Sequence, residues 1–307
     1  MRIFVTGGAG FIGRHLIESL LKKGGQVTIF DDLSNSTEEG ISHLIKNGAQ
    51  FVKGDITDYS TLAKSLSGTD VVVHLAAKIS VDESVVHPEV TTLVNVNGTV
   101  NLLKACVANK IQNVIAASSA GVYADSDEMP LSENSKTQAG SPYGASKLAM
   151  EYYMQAFANC FDMNCISLRI FNVYGVGQSR QYAGVITNFA QNIVANKPLI
   201  IFGDGIQTRD FIAIEDVVNA IECAISKIDG KRGSVYNISS GKFVSIKDLA
   251  ELMISLSGKE LPIKFEDPKK GDIKNSQSNI FLAKKELGYN PKVELEDGIE
   301  NFLKLFS

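Results

Sequence analysis

No apolar run in this chain approaches the roughly 18 to 20 residues that cross a bilayer, so no membrane partner is expected. The first apolar strand begins at residue 2 or 3 and leaves no room for a secretory leader, which points to a cytoplasmic protein. The four cysteines, Cys106, Cys160, Cys165 and Cys223, contain no CxxC pair and sit in apolar or helical surroundings. They are therefore read as buried free thiols rather than as a disulfide framework or zinc site. The four histidines lack metal-ligand spacing, so no metal is expected. A basic block is also missing: the net charge is −4, which argues against nucleic acid as a partner. Internal repeats, low-complexity tracts and long linkers are absent from the sequence.

What remains is an ordinary globular composition, 44% apolar and 21% charged over 307 residues, enough for one large domain or two fused ones. Its most informative stretch is the beginning. Arg2-Ile3-Phe4-Val5-Thr6 reads as a strand, Gly7-Gly8-Ala9-Gly10-Phe11-Ile12-Gly13 as a turn, and Phe11 to Lys23 as a helix ended by Gly24-Gly25. A strand running through glycines into a helix is built for pyrophosphate. Gly7 permits the turn, Gly10 admits close backbone approach, Gly13 allows tight packing, and the helix N-terminus offers unpaired N–H donors. A second strand, Gln26 to Phe30, ends in Asp31, placed to accept from adenosine ribose hydroxyls and to repel a 2′-phosphate, which favours NAD over NADP.

Further along, the loop from Asp32 through Ser34 to Thr37 could lie over the adenosine, followed by a helix from Glu38 to Asn47 and a strand from Gln50 to Lys53. Asp55 could accept from an adenine amino group or cap a helix, while Ile56 would cover the ring. Asp70 to Leu75 is a continuous apolar strand opening into Ala76-Ala77-Lys78. His74, inside it, reads as a core histidine. One long helix is expected over Val90–Asn109, with Asn95 and Asn97 interrupting its apolar stripe. A strand from Asn113 to Ala117 ends in Ser118-Ser119, and Ala124 to Gly140 reads as an irregular surface excursion. Ser141 and Pro142 start a helix that sets Tyr143 and Lys147 one turn apart on one face. A phenol and an ammonium are poor bases alone. Held together, the ammonium favours the phenolate, and a positively charged nicotinamide would favour it further.

The second half continues with a strand over Cys165–Ile170 and a helix from Gly184 to Asn196. Leu199–Phe202 is a strand, Ile214–Ser226 a helix, Val235–Ile238 a strand, Ser245 to Ser257 a capped helix, and Asp297–Phe306 a final helix. Alternating β and α elements predict an α/β fold, a doubly wound parallel sheet of the Rossmann type with a smaller, interleaved C-terminal substrate lobe. Residues 1–175 would form the dinucleotide-binding domain, with 208–240 returning to it, and 176–307 the substrate lobe.

The ordered set of motifs resembles the extended branch of the short-chain dehydrogenase/reductases, and within it the UDP-glucose 4-epimerase-like nucleotide-sugar enzymes. The matching pieces are Gly7-x-x-Gly10-x-x-Gly13, Gly54-Asp55-Ile56, His74-Leu75-Ala76-Ala77, Asn95-Val96-Asn97-Gly98-Thr99, Ser118 to Tyr123 and Tyr143-x-x-x-Lys147. Arg169 to Gly175, Phe202-Gly203-Asp204-Gly205, Thr208-Arg209-Asp210-Phe211 and Gly271-Asp272 follow. The resemblance implies that Tyr143 is the base, that Lys147 bonds the nicotinamide ribose and tunes it, and that Ser119 binds the reacting sugar hydroxyl. It implies cofactor contacts from Phe11, Ile12, Asp32, Ser34, Leu75, Ala117 and Ser118 besides the residues named above, and from the Phe171 backbone. Lys78, Asn172 and Arg209 would contact a UDP-sugar.

In relatives that dehydrate the sugar, an Asp-Glu pair follows the serine; Ala120-Gly121 stands there, which disfavours elimination and favours epimerisation. The usual Arg-x-Gly-Asp phosphate contact reads Lys269-Lys270-Gly271-Asp272, keeping charge but losing the bidentate fork. Ser276 occupies the position of a gate beside the sugar, where a small side chain should admit an N-acetyl group. A homodimer through the Val90–Asn109 and Tyr143–Asn159 helices is also implied. The alternatives are a uronic-acid epimerase or decarboxylase, a nucleotide-sugar reductase, and a non-catalytic dinucleotide sensor. The last would be expected to have a broken Ser/Tyr/Lys set, and all three residues are present.

Overall fold

The computed structural model describes residues 1–123, 125, 129–178, 184–268 and 274–305. The first half lays down β1 (Arg2–Thr6), α1 (Phe11–Lys22), β2 (Gln26–Asp31), α2 (Glu38–Lys46), β3 (Gln50–Lys53), α3 (Tyr59–Ser65) and β4 (Val71–His74). After α4 (Val81–Val86) come α5 (Pro88–Thr92), a π turn over Leu93–Asn97, α6 (Gly98–Ala108), β5 (Asn113–Ser119), a 3₁₀ turn over Ala120–Val122, α7 (Pro142–Phe161) and β6 (Asn164–Ile170). The remainder is β7 (Asn172–Tyr174), α8 (Val185–Val194), β8 (Leu199–Phe202), β9 (Thr208–Arg209), β10 (Phe211–Ala213), α9 (Ile214–Ser226), β11 (Arg232–Ile238), β12 (Val244–Ser245), α10 (Ile246–Ser257), β13 (Ile263–Glu266), α11 (Phe281–Leu287) and α12 (Leu295–Lys304).

Seven parallel strands form the main sheet in the order β11-β6-β5-β4-β1-β2-β3, so the order reverses between β1 and β4. Side chains alternate across it. Ile3, Val5, Ile29 and Ile115 face a core with α1, α2, α9 and α11, while Phe4, Phe30, Val72 and Val114 face a second core with α3, α6 and α7. β11 pairs with β6, so the chain returns to this sheet after β10 and α9. A third core, with Tyr174, Phe189, Leu249, Met253 and Phe302, gathers α8, α10 and α12 around three two-stranded pairs, β10 with β7, β12 with β9 and β13 with β8.

The local chemistry explains the main boundaries. Helix α1 stops at a Schellman turn, where Gly24 (φ +78°) donates to Leu21 O and Gly25 donates to Leu20 O, each at 2.9 Å. The helix expected over Val90–Asn109 is present, continuous from Pro88 to Ala108, and carries the π turn within it. There Thr99 Oγ1 donates to the Asn95 carbonyl at 2.6 Å and competes with the backbone ladder. The excursion expected at the surface is partly core: Leu131 is buried, and its N–H and carbonyl bond Gln277 O and Asn279 N, each at 2.8 Å. Cys106 and Cys165 are buried as expected, Cys223 is half-buried, and Cys160 is exposed, on the side of α7 away from the buried Met154 and Ala158. An apolar face on α4, α5 and α7 is uncovered, with Val85, Val86, Val90 and Tyr152 all exposed. Among the described residues no helix is long and apolar enough to cross a membrane, and no cluster could hold a metal.

Candidate active site

A cleft of about 520 Å³ opens at the carboxyl ends of the strands beside the β1–β4 switch point. The structure brings every residue nominated for the cofactor to its wall, from Gly7 through Asp31, Asp55 and Ala76 to Phe171. Gly7 has φ +67°, and a Cβ there would stand 2.5 Å from Ala76 N, so the turn closes directly on the end of β4. At Gly13 a Cβ would meet the Gly7 carbonyl and the Gly8 Cα, each at 2.6 Å, so this glycine packs the helix on the turn itself. Helix α1 has Gly10 at its N-cap and no side-chain cap, which leaves its first N–H groups to a phosphate.

Asp31 has a task within the fold itself. Its carboxylate accepts from Ala9 N–H at 3.0 Å and Leu33 N–H at 2.9 Å, bracing the glycine turn and the following loop. Two of its roughly four acceptor positions remain for hydroxyl donors. Of the two uses open to Asp55, the helix cap falls to Asp58, which accepts from Ser60 N–H and Thr61 N–H. Asp55 instead accepts from Thr57 N–H at 2.8 Å and lines the cleft. His74 is a core residue: Thr6 Oγ1 and Thr99 Oγ1 flank its two nitrogens at 2.7 and 3.0 Å. Burial and the charge of Lys147 push its pKa down to about 3.

At the inner end of the cleft, β5 and α7 meet. Gly144 packs so closely on Gly121 that a Cβ would stand 2.2 Å from the Gly121 carbonyl oxygen. That approach brings the Tyr143 ring beside the Ser119 side chain: Ser119 Oγ and Tyr143 Cε1 would stand 3.4 and 3.7 Å from a Cβ at Gly121. Ser119 Oγ also accepts from Gly121 N–H at 3.1 Å. Two serines hold the start of α7: Ser141 Oγ accepts from Gly144 N–H, and Ser84 Oγ from Tyr143 N–H, each at 3.1 Å. Lys147 Nζ donates to Ala117 O at 2.8 Å, and burial lowers its pKa to about 8 while Glu151 opposes the shift. Burial raises the Tyr143 phenol, and the neighbouring Ser119 hydroxyl lowers it by less. Lys147 Nζ is aimed at the Ala117 carbonyl, so in the protein without its cofactor burial dominates at Tyr143.

The hydroxyl of Ser118, nominated for the cofactor, is turned to the Glu151 carboxylate, so only its backbone is offered to the cleft. Asn172 and Arg209 line a second cleft of about 400 Å³, together with Phe202, Gln207 and the short strands β7 and β10. Val173 and Gln178 lie on both walls. Lys78 lines the first cleft, where its backbone N–H and carbonyl are held by the Asn95 amide at 2.8 and 2.9 Å. Ser276 is buried and is on the wall of neither cleft. Lys269, with Gly271 and Asp272, lies outside the described residues. Sequence reasoning singled out Asn95 without giving it chemistry, and missed Ser84, whose role comes from a contact distant in the chain. It also missed Glu151, for which there was a signal, a third polar residue at four-residue spacing after Tyr143 and Lys147.

Known proteins share this arrangement. The family described as "NAD dependent epimerase/dehydratase" matches residues 3–239. The chain is 36% identical over 312 aligned residues to the UDP-glucose 4-epimerase of Mycolicibacterium smegmatis, covering 100% of this chain and 98% of that one. The UDP-N-acetylglucosamine 4-epimerase of Methanobrevibacter ruminantium, in complex with UDP-N-acetylmuramic acid, superposes with TM-score 0.94 at 33% identity, over 99% of this chain and 97% of that one. The UDP-glucuronic acid 4-epimerase of Bacillus cereus, with UDP-glucuronic acid and NAD, gives 0.92 at 33% over the whole of both chains. A glycine turn ready for pyrophosphate, an aspartate at the end of β2 and a Ser/Tyr/Lys set at the end of β5, matched along nearly the full length of such relatives, place this chain in the NAD-dependent epimerase/dehydratase family of extended short-chain dehydrogenase/reductases, with NAD as its cofactor.

Proposed function

We propose that the protein is a UDP-sugar 4-epimerase acting on a UDP-hexose and interconverting the glucose and galactose forms. The observation that carries this reading is the juxtaposition of Ser119, Tyr143 and Lys147 at the inner end of the cofactor cleft, with Gly121 at the next turn. NAD, when bound, supplies the hydride acceptor and returns the hydride. The uncapped start of α1, Asp31, Ile56 and Lys147 would hold it. Asn172 and Arg209, on the second cleft, would take the diphosphate, and Gln178 joins the two walls.

Tyr143, as phenolate, takes the proton of the sugar 4′-hydroxyl, and Ser119 holds the same oxygen as it becomes a carbonyl. Burial works against the phenolate, so ionisation draws on the Lys147 ammonium and the positive nicotinamide together. With hydride transfer supplied by NAD, the 4-ketopyranose would turn over in the cleft and Tyr143 would give the proton back to the same oxygen. No side chain at Ala120 or Gly121 can act as the extra acid or base of an elimination. Because hydride leaves and returns within one turnover, the cofactor is not consumed and tight retention is expected. A homodimer through the uncovered apolar face of α4, α5 and α7 completes the reading.

The test is incubation of the NAD-loaded protein with UDP-glucose, UDP-N-acetylglucosamine and UDP-glucuronate, with separation of the products. The 4-epimer of UDP-glucose, without consumption of added NADH, is the expected outcome. Turnover confined to the N-acetyl sugar or the uronate reassigns the substrate, and stoichiometric NADH consumption reassigns the reaction. Tyr143→Phe should lower turnover by about 10² to 10⁴ with NAD still bound; substantial activity in that variant would remove Tyr143 as the base.

A further inference from the structure

Tyr143, Lys147 and Glu151 follow one another at four-residue spacing on α7, which lays them in one stripe. The stripe meets the end of β5 residue by residue. Tyr143 adjoins Ser119, Lys147 Nζ donates to the Ala117 carbonyl at 2.8 Å, and the Glu151 carboxylate accepts from the Ser118 hydroxyl. Glu151 is only 6% exposed. Arg169 of β6 binds the same carboxylate through Nη2 at 2.7 Å and Nε at 2.9 Å, and both ends of this ion pair are buried. Arg169 Nη1 also donates to Tyr123 Oη at 2.9 Å, and Tyr123 donates to Asn237 Oδ1 at 2.6 Å, so the network reaches β11. A buried ion pair of this kind is weak grounds for stability, since desolvation of both charges offsets their attraction and apolar replacements are often neutral. Its place directly beneath the catalytic stripe suggests a different use.

We propose that Glu151 is a positioning residue for the reaction. It seats the Ser118-Ser119 end of β5 on α7 and is the buried counter-charge that keeps the Lys147 ammonium protonated where it serves the base. The inference rests on the epimerase reading for its consequence in turnover, but not for the electrostatics. The charged and titratable groups acting on Lys147 are Glu151 on α7 and His74 on β4, Tyr143 lies one turn before it on α7 and on the same cleft wall, and Arg169 faces Glu151 from β6. His74 is neutral across the working range, because burial and Lys147 itself hold its pKa near 3. Burial drives Lys147 toward about 8, and Glu151 is the charge opposing that drift. Without it, the lysine would release its proton at lower pH and the phenolate would lose its partner.

The test uses the NAD-loaded protein with three variants: Glu151→Gln, Glu151→Asp, and Glu151→Gln combined with Arg169→Met, which avoids stranding a buried guanidinium. The alkaline limb of kcat should move to lower pH by about one unit in both Gln variants, which is about tenfold in rate on that limb. KM and bound NAD should stay within about twofold. Glu151→Asp keeps the charge and should keep the wild-type limb. A double variant whose limb matches wild type overturns the proposal, as does an Asp variant that shifts like Gln. The near-ultraviolet phenolate absorbance of Tyr143, taken as the difference from Tyr143→Phe in each background, needs no sugar. It should titrate higher in the Gln variants, and an unmoved titration also overturns the proposal. If it moves while wild-type protein turns over no nucleotide sugar, the epimerase reading fails and the counter-charge stands.

Discussion

Replacing Gly144 by alanine tests how the site is assembled. The new methyl carbon would stand 2.2 Å from the Gly121 carbonyl oxygen and 3.1 Å from both the Gly121 carbonyl carbon and Ala139 Cβ. Ordinary contacts need about 3.5 Å, so the start of α7 and the 120–122 turn must part by roughly 1 Å. Ser119 Oγ holds Gly121 N–H, and Tyr143 adjoins Gly144, so the displacement falls on the gap between the Ser119 and Tyr143 hydroxyls. A misplacement of about 1 Å is worth about 10² in rate. Stability should fall less: overpacking costs about 1–3 kcal/mol, and alanine returns about 1 kcal/mol of helix propensity. The measurements are kcat, KM, bound NAD and thermal unfolding. The Gly7–Gly13 turn is untouched, so cofactor content should hold while kcat drops about a hundredfold. Gly140→Ala is the control, since a Cβ there meets nothing within 4 Å. A Gly144→Ala enzyme within about threefold of wild type would refute the close approach as the origin of the site's geometry.

Asp31→Ala strips two backbone N–H groups of their acceptor as well as any ribose contact. Loss of charged hydrogen bonds at about 1.5–3 kcal/mol each predicts at least about tenfold weaker NAD binding, measured by titrating stripped protein. His74 should make the fold acid-sensitive. Its folded pKa, near 3, lies below the unfolded value of 6.5. The stability it lends is therefore complete above about pH 6.5 and is lost as pH falls toward 3, by up to about 5 kcal/mol. Chemical denaturation across that range should show a shallower acid loss in His74→Asn. Val85→Glu, on the exposed face of α4, should leave the fold intact and convert the proposed dimer to monomer in sedimentation analysis; an unchanged mass would place any interface elsewhere.

How much of this was legible depended on how local the deciding interaction was. The span of β3 matches its sequence reading to the residue, as do those of β8 and α9, because apolar periodicity and capping residues lie within the element itself. The cofactor wall was readable for the same reason: its parts are strand ends and turns whose residue types are dictated by their own backbone. The second cleft was harder. It is built by β7, β9 and β10, strands of two or three residues with no period to detect. Asn95 looked like a blemish on an apolar stripe, and only folding brings its amide to Lys78 and Ser146.

By itself, then, the sequence determined the parallel sheet, the pyrophosphate turn and the helical stripe that carries Tyr143 and Lys147, since backbone sterics and side-chain periodicity act over a few residues. The tertiary structure alone decided the state of those groups. It set Gly144 on Gly121 so that Tyr143 adjoins Ser119, turned Lys147 to a carbonyl, buried Tyr143 deeply enough to raise its pKa, and placed Glu151 against Arg169. Desolvation and charge proximity depend on which distant segments close over a residue, and local sequence does not carry that information.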